Sequence, residues 1–278
     1  MDLKNESLKM LSPALFKNAI AINLVTKRNF IMTTNFRAIA TCLLAYICFD
    51  LMSVHVRLLS SNYSPQELSV YRNVIGVIPA IFYMWYSKEL SLKISDYKIE
   101  KWKLGIFRGL MIAVAQLCFY IALAKLELAT VSALGQVGAL FIVLLAIFIY
   151  KEKVGFWRWT AVIVGFLGAI LIMKPGTDIF SWFSILPICA AFCYASSIVT
   201  LRSFKSSVSS AILFLYSATS AAFGAMILAF GSITFTPIKS LTDGLLITSM
   251  AVFGGFGVVF LMYAFHLIPF PPLFYSIS

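Results

Sequence analysis

Ionisable and amide side chains are sparse in this chain, and several of them fall inside long apolar runs. Asp50 lies near the middle of the first such run, and His55 and Arg57 follow it on roughly the same helical face. A charge at a helix centre within a bilayer costs at least about 2.5–3.5 kcal/mol, so such a group tends to face a cavity or a partner. Asp50 then has two readings: a site for a cation or a coupling proton, or a pairing with a neighbouring helix or a local hydroxyl such as Ser53. Arg72 and Asn73, near the start of the second run, could bind an anionic group. Snorkelling to the interface explains Arg72 equally well. Arg108, near the start of the third run, carries the same two readings, with snorkelling the expected one. Gln116 and Gln136 lie deep in the third and fourth runs, and lipid can satisfy neither amide. They suggest either hydrogen bonds to a substrate or one between these adjacent helices, worth about 0.6 kcal/mol. Tyr120, Tyr194, Ser196, Ser197 and Tyr263 would suit a polar-aromatic cavity, although tyrosines also populate interfaces. His266 reads as interfacial.

Other chemistries find little support. The five cysteines (Cys42, Cys48, Cys118, Cys189, Cys193) all fall within apolar runs. A disulfide framework or zinc site would place them in loops at short spacing, so they read as small packing residues, and no metal or cofactor is expected. The two histidines sit in different runs without a carboxylate-rich loop. An acid–base constellation for a membrane-embedded, lipid-modifying enzyme is therefore missing. No Walker-type phosphate loop is present, which leaves direct ATP drive unsupported.

The elements that must position these residues are membrane helices. Of 278 residues, 61% are hydrophobic and 12% charged, against roughly 45–50% and 25% in a soluble domain. Apolar runs near 37–59, 68–87, 104–124, 128–150, 156–173, 182–202, 210–230 and 244–267 give about eight spans. Each approaches the roughly 20 residues needed to cross about 30 Å of hydrocarbon. Residues 268–278 begin another run that is about half a span. The net charge of +11 lies in alternate connectors: Lys27, Arg28 and Arg37; Lys88 to Lys103; Lys151, Lys153 and Arg158; Arg202 and Lys205. The positive-inside bias makes that side cytoplasmic, with the amino end inside. No basic stripe interleaved with aromatics argues for nucleic acid. Residues 1–35 form an interfacial or cytoplasmic extension. Lys17 interrupts any signal-peptide core there, and Met32 is an alternative start.

The chain also aligns weakly with itself. Ala45 to Phe49 reads against Ala190 to Tyr194, and the same offset sets Arg57 opposite Arg202. A unit of about five spans is odd in number, so two copies must insert in opposite senses, a plan common among secondary transporters. The spacings Gly105/Gly109, Gly135/Gly138, Gly165/Gly168 and Gly254/Gly257 suit close helix contact.

Phe107-Arg108-Gly109 through Tyr120-Ile-Ala122-Leu123, then Ala129 to Leu145, Lys151-Glu152-Lys153-Val154-Gly155 and Gly165 to Lys174-Pro175-Gly176 together resemble the EamA family of the drug/metabolite transporter superfamily. Glu67 to Arg72 fits the same pattern. The resemblance implies an all-α polytopic membrane protein of two inverted five-helix repeats around a central cavity. The first repeat would cover residues 36–176, and 177–278 would be a second repeat whose last one to two helices are incomplete or missing. One departure stands out: the family's usual glycine before the connector glutamate is Lys151 here.

These readings lead to a carrier of a small metabolite, such as an amino acid or derivative, in a prokaryotic inner membrane. Flux would be downhill or coupled to H+ or another ion. An S-adenosylmethionine uptake carrier of the same family and a truncated, inactive transporter are the alternatives.

Overall fold

The computed structural model describes residues 13–89, 91, 97–151, 155–173, 181–201, 203–204, 208–230 and 235–267, with side chains from Phe36 to Ala264. Among the described residues ten α-helices follow in order: α1 Pro13–Leu59, α2 Pro65–Ile75, α3 Val77–Tyr86, α4 Trp102–Lys125, α5 Leu128–Gly135, α6 Gly138–Tyr150, α7 Phe156–Met173, α8 Ile185–Thr200, α9 Ser210–Ala229 and α10 Leu241–Leu267. They form eight helical stretches long and apolar enough to cross a membrane, from Phe36–Leu59 to Leu241–Ala264. The protein is an all-α, multi-pass membrane protein. Arg202, the Glu152-Lys153-Val154 and Lys174-Pro175-Gly176 parts of the family pattern, and the side chain of His266 lie outside the described residues.

Contacts group the chain into two units: Ala45–Val259, and the stretches that flank it on either side. The larger unit carries the features of interest. Within it α4 is central, packed against α2, α8 and α9, while α9 also covers α2 and α3. The α4–α9 contact is close because Gly109 has no side chain. A Cβ there would come within 2.4 Å of Ser220 Cβ and 2.7 Å of the Ser217 carbonyl oxygen.

Two spans are each built from two helices. The second begins where Ser64 and Glu67 form a capping box: the Glu67 N–H donates to Ser64 Oγ (3.3 Å) and the Ser64 N–H to the Glu67 carboxylate (2.8 Å), with Pro65 opening the helix. Such reciprocal bonds satisfy two of the donors that a helix start leaves free. The span is interrupted at Gly76, between α2 and α3, three residues before Pro79. Proline has no N–H to continue the ladder and its ring crowds the preceding turn. The fourth span is interrupted at Gln136–Val137, where backbone bonds tighten to the i→i+3 pattern.

At the end of the unit that carries the α1–α2 turn, Tyr63 Oη donates to the Asp243 carboxylate (3.0 Å) and accepts from the Lys239 N–H (3.1 Å). Glu67 also accepts the Thr236 N–H. These bonds tie the α1–α2 turn to the approach of α10.

The glycines expected at helix contacts divide. Gly109, Gly165, Gly254 and Gly257 all have a neighbouring atom within 3 Å of where a Cβ would stand. Gly105, Gly135 and Gly138 have room at ordinary contact distance, 3.5–3.7 Å. Gly168 meets nothing within 4 Å, so close contact is absent there among the described residues. A span with apolar side chains on all sides does not disclose from spacing alone which of its faces meets a helix.

Candidate functional site

Four helices bring two arginines to one cavity. Arg72 stands seven residues into α2, about 10 Å of rise from its start, and Arg108 stands six residues into α4. Both are buried, at 8% and 4% exposure. The cavity is small, with about 30 Å³ of free space, and both arginines line it with Asn73, Gly76 and Ser217. Ile112, Phe214 and Val258 supply apolar walls. The break at Gly76 therefore sits on the cavity, beside Arg72.

Arg72 is held on several sides. Its Nη2 donates to the Gly254 carbonyl (3.2 Å) and its Nη1 to Asn73 Oδ1 (3.2 Å). With the Gln116 amide turned to suit its neighbours, Gln116 Oε1 accepts from Arg72 Nε (2.7 Å) and Nη1 (3.0 Å), and Nε2 donates to Asn73 Oδ1 (2.9 Å). Amide orientation is assigned from such networks. Asn73 Nδ2 in turn donates to the Ser69 carbonyl (2.8 Å). Gly254 is needed for this approach, since a Cβ there would lie 2.8 Å from Arg72 Nε. No carboxylate is bonded to Arg72 among the described residues.

Arg108 is held by one bond. Its Nε donates to Ser197 Oγ (3.1 Å) on α8. Its Nη1 is buried and has no hydrogen-bond partner. Snorkelling was the expectation for this side chain; at 4% exposure it points into the bundle instead. A signal existed in the sequence. Gly105 and Gly109 flank Arg108 on the same helical face, the face already expected to meet another helix.

The remaining candidates separate from this cluster. Asp50 is exposed on the flank of α1 and forms no hydrogen bond or ion pair among the described residues. His55 bonds the Leu51 carbonyl through Nδ1 (2.6 Å) and sits 5.6 Å from the Phe253 ring. Arg57 reaches the opposite way, donating to the Leu123 and Leu126 carbonyls at the end of α4 (the latter 3.0 Å). The last carbonyls of a helix have no intrahelical donor, so Arg57 acts as a cap. Asp50, His55 and Arg57 thus do not share a site. Gln136 is exposed at the break in the fourth span, so of the two readings the bond between the adjacent helices is not formed with Gln116, which is occupied by Arg72 and Asn73. Tyr120 is buried against Met52 Sδ (3.6 Å). Tyr194 is half-buried, Ser196 bonds its own helix at the Phe192 carbonyl (2.9 Å), and Tyr263 is exposed. Spacing did not single out Gly76 or Ser217; Pro79 after Gly76 was the available sign of a break.

The EamA-like transporter family matches residues 36–174. The chain belongs to that family. It is 29% identical over 140 residues to an uncharacterised transporter of Helicobacter pylori, covering 50% of this chain and 46% of the relative. It is 24% identical over 190 residues to an S-adenosylmethionine uptake transporter of Rickettsia prowazekii, covering 68% and 63%. The alignment thus spans about half the length of the first relative and under two thirds of the second. A solved crystal structure aligns with a TM-score of 0.56 at 14% identity, over 82% of this chain and 79% of that one. Its likeness is one of fold. This EamA-family protein carries the family pattern across its first five spans.

Proposed function

We propose that the protein is a secondary carrier that moves a small metabolite, such as an amino acid or a derivative, by alternating access. The observation that carries this reading is the cavity where two buried arginines meet inside the bundle, beside the point at Gly76 where Pro79 interrupts the helical ladder. Polar sites between helices, at irregularities in a span, recur at transporter binding sites. The membership in a transporter family supports it, as does a relative named as an uptake carrier. S-adenosylmethionine is one candidate among amino-acid derivatives.

On this reading residues 36–176 and 177–278 form two halves inserted in opposite senses. The membrane is a prokaryotic inner membrane, with the lysine-rich connectors and the amino end in the cytoplasm. Family membership supports a carrier over an enzyme.

Counterflow in proteoliposomes tests the proposal. Vesicles are loaded with a metabolite mixture, and accumulation of labelled compounds is followed by mass spectrometry. One compound class should accumulate in vesicles that contain the protein and not in empty ones. Equal accumulation in both would overturn the carrier reading. Asp50 stands apart from the cavity, so a coupling role for it rests on its depth in span one alone. Unchanged flux in Asp50→Asn would remove it from the mechanism.

A further inference from the structure

We infer that the cavity is an anion site, and that the transported compound enters it carboxylate first, with Arg108 as the group that binds it. This inference rests on the carrier reading for its context, although the site itself stands on the geometry.

A guanidinium stays protonated in proteins, so the cavity wall holds two positive charges. None of the acids near the bundle reaches them among the described residues. Glu67 is bound by Ser64 and Thr236, Asp243 by Tyr63, and Asp50 is exposed on the flank. A buried charge without a counter-charge is strongly unfavourable, and like charges that share a wall add to the cost. Binding an anion relieves both. A cation in the same place would make both worse.

The hydrogen-bond inventory then separates the two arginines. Arg72 has five N–H donors. One from Nε, two from Nη1 and one from Nη2 are already taken by Gln116, Asn73 and the Gly254 carbonyl. It supplies positive potential and at most one further N–H. Arg108 lines the cavity, spends Nε on Ser197 Oγ and leaves Nη1 buried and unpartnered. Buried donors are nearly always satisfied, so an orphan on a residue that lines a cavity marks a missing acceptor. The guanidinium fork matches a carboxylate, which accepts two parallel N–H bonds. Ser217 does not compete, because its hydroxyl already donates to the Leu213 carbonyl (2.8 Å).

The rest of the lining selects the body attached to the carboxylate. Ile112, Phe214 and Val258 are apolar, while Ala218 and Ala221 are small. They favour a compact aliphatic or aromatic side chain over a sugar or a charged side chain, which counts against S-adenosylmethionine. The ligand class is therefore a small organic acid, amino acids included, with an apolar remainder. A lipid headgroup phosphate shares the anion chemistry, so the test must separate the two.

Thermal unfolding of the purified full chain in lipid-free detergent gives a binding readout that needs no transport. The probes are the unbranched C3–C6 carboxylates and the apolar amino acids, each against its matching primary amide. Carboxylates should raise the unfolding temperature by about 2–4 °C at roughly ten times their dissociation constant, and the amides by much less. Arg108→Gln should make acid and amide equal. Arg108→Lys keeps the charge without the fork and should retain part of the difference. Equal responses to acid and amide in the unmodified protein would overturn the anion site, and a carboxylate response kept in Arg108→Gln would overturn the assignment to Arg108. Stabilisation that appears only with added phosphatidylglycerol would put a lipid headgroup there and overturn the substrate class. The same probes in counterflow keep the two proposals apart. A carboxylate response without flux removes the carrier reading and leaves the site. Flux that ignores the carboxylate, without stabilisation, does the reverse.

Discussion

Arg72 and Arg108 sit on the same cavity at similar burial, yet they are embedded in opposite ways. Arg72 joins α2 to α4 and α10 through Gln116 and Gly254, and nearly all its donors are used. Arg108 touches α8 once and keeps a buried nitrogen free. The first is a structural knot whose charge happens to face a cavity. The second is a group held ready for something absent from the protein itself. Burial alone does not distinguish a positioning residue from a binding residue; the count of satisfied donors does.

The largest expected effect comes from removing each arginine in turn. Arg72→Met would leave Gln116 Oε1 without its donor and cut the link to α10, while the Gly254 carbonyl keeps the N–H of its own helix. A buried polar group left unsatisfied costs about 1–3 kcal/mol, and removal of an unpaired charge offsets part of that, so the variant should lose about 1–2 kcal/mol of stability. Arg108→Met should be neutral or more stable by about 1 kcal/mol, because it removes an uncompensated buried charge and disturbs only one bond to Ser197. Thermal unfolding of both variants in one detergent reads the signs directly. Equal losses would mean that Arg108 is as structurally engaged as Arg72, and the contrast would collapse.

The spans themselves were legible in the sequence. All eight fall within about three residues of the apolar runs, because a bilayer sets both length and composition. The site was legible only in depth. Arg72, Arg108 and Gln116 are charged or amide groups well inside runs, and that is visible from position. Which way each faces is not, because an all-round apolar helix has no polar stripe to orient it. Asp50 and Gln136 have the same depth signature as Gln116, and both turn outward. The partner of Gln116 was likewise hidden: Asn73 lies 43 positions earlier in the chain, on a span whose approach to α4 depends on tertiary packing. The break at Gly76 was foreshadowed by Pro79, whereas the break at Gln136 had only its flanking Gly135 and Gly138.

A second test moves the cavity wall without touching either arginine. Gly109→Ala places a methyl group 2.4 Å from Ser220 Cβ and 2.7 Å from the Ser217 carbonyl, neither of which can rotate away. Helix α9 must shift relative to α4, at a cost of about 1–3 kcal/mol. Because Ser217 lines the cavity, the carboxylate response should weaken as well. Gly168→Ala is the matched control, since its Cβ meets nothing within 4 Å. A Gly109→Ala protein as stable as Gly168→Ala would show that the α4–α9 contact is slack, and the geometry around Arg108 with it.

The smallest expected effect lies far from the cavity and serves as the counterpart of Arg108→Met. Helix α3 ends in a Schellman motif: the Glu89 N–H donates to the Met84 carbonyl (3.0 Å) and the Lys88 N–H to that of Trp85 (3.1 Å). The residue that turns the chain is Lys88, at φ 57°. Lys151 closes α6 in the same left-handed region, at φ 53°, at the position where the resembling family usually has glycine. A left-handed residue with a Cβ costs roughly 1–2 kcal/mol. Glycine removes that strain but gives back about 0.5–1 kcal/mol through the freer unfolded chain. The net gain for Lys88→Gly or Lys151→Gly should be about 0.5 kcal/mol, read as a rise of about 1–2 °C in the unfolding temperature. Both lysines lie outside the cavity, so their glycine variants should gain stability and keep the carboxylate response in full, whereas Arg108→Met should hold or gain stability and lose it. A glycine variant that also lost the response would tie stability and binding together and remove the separation that distinguishes Arg108 from Arg72.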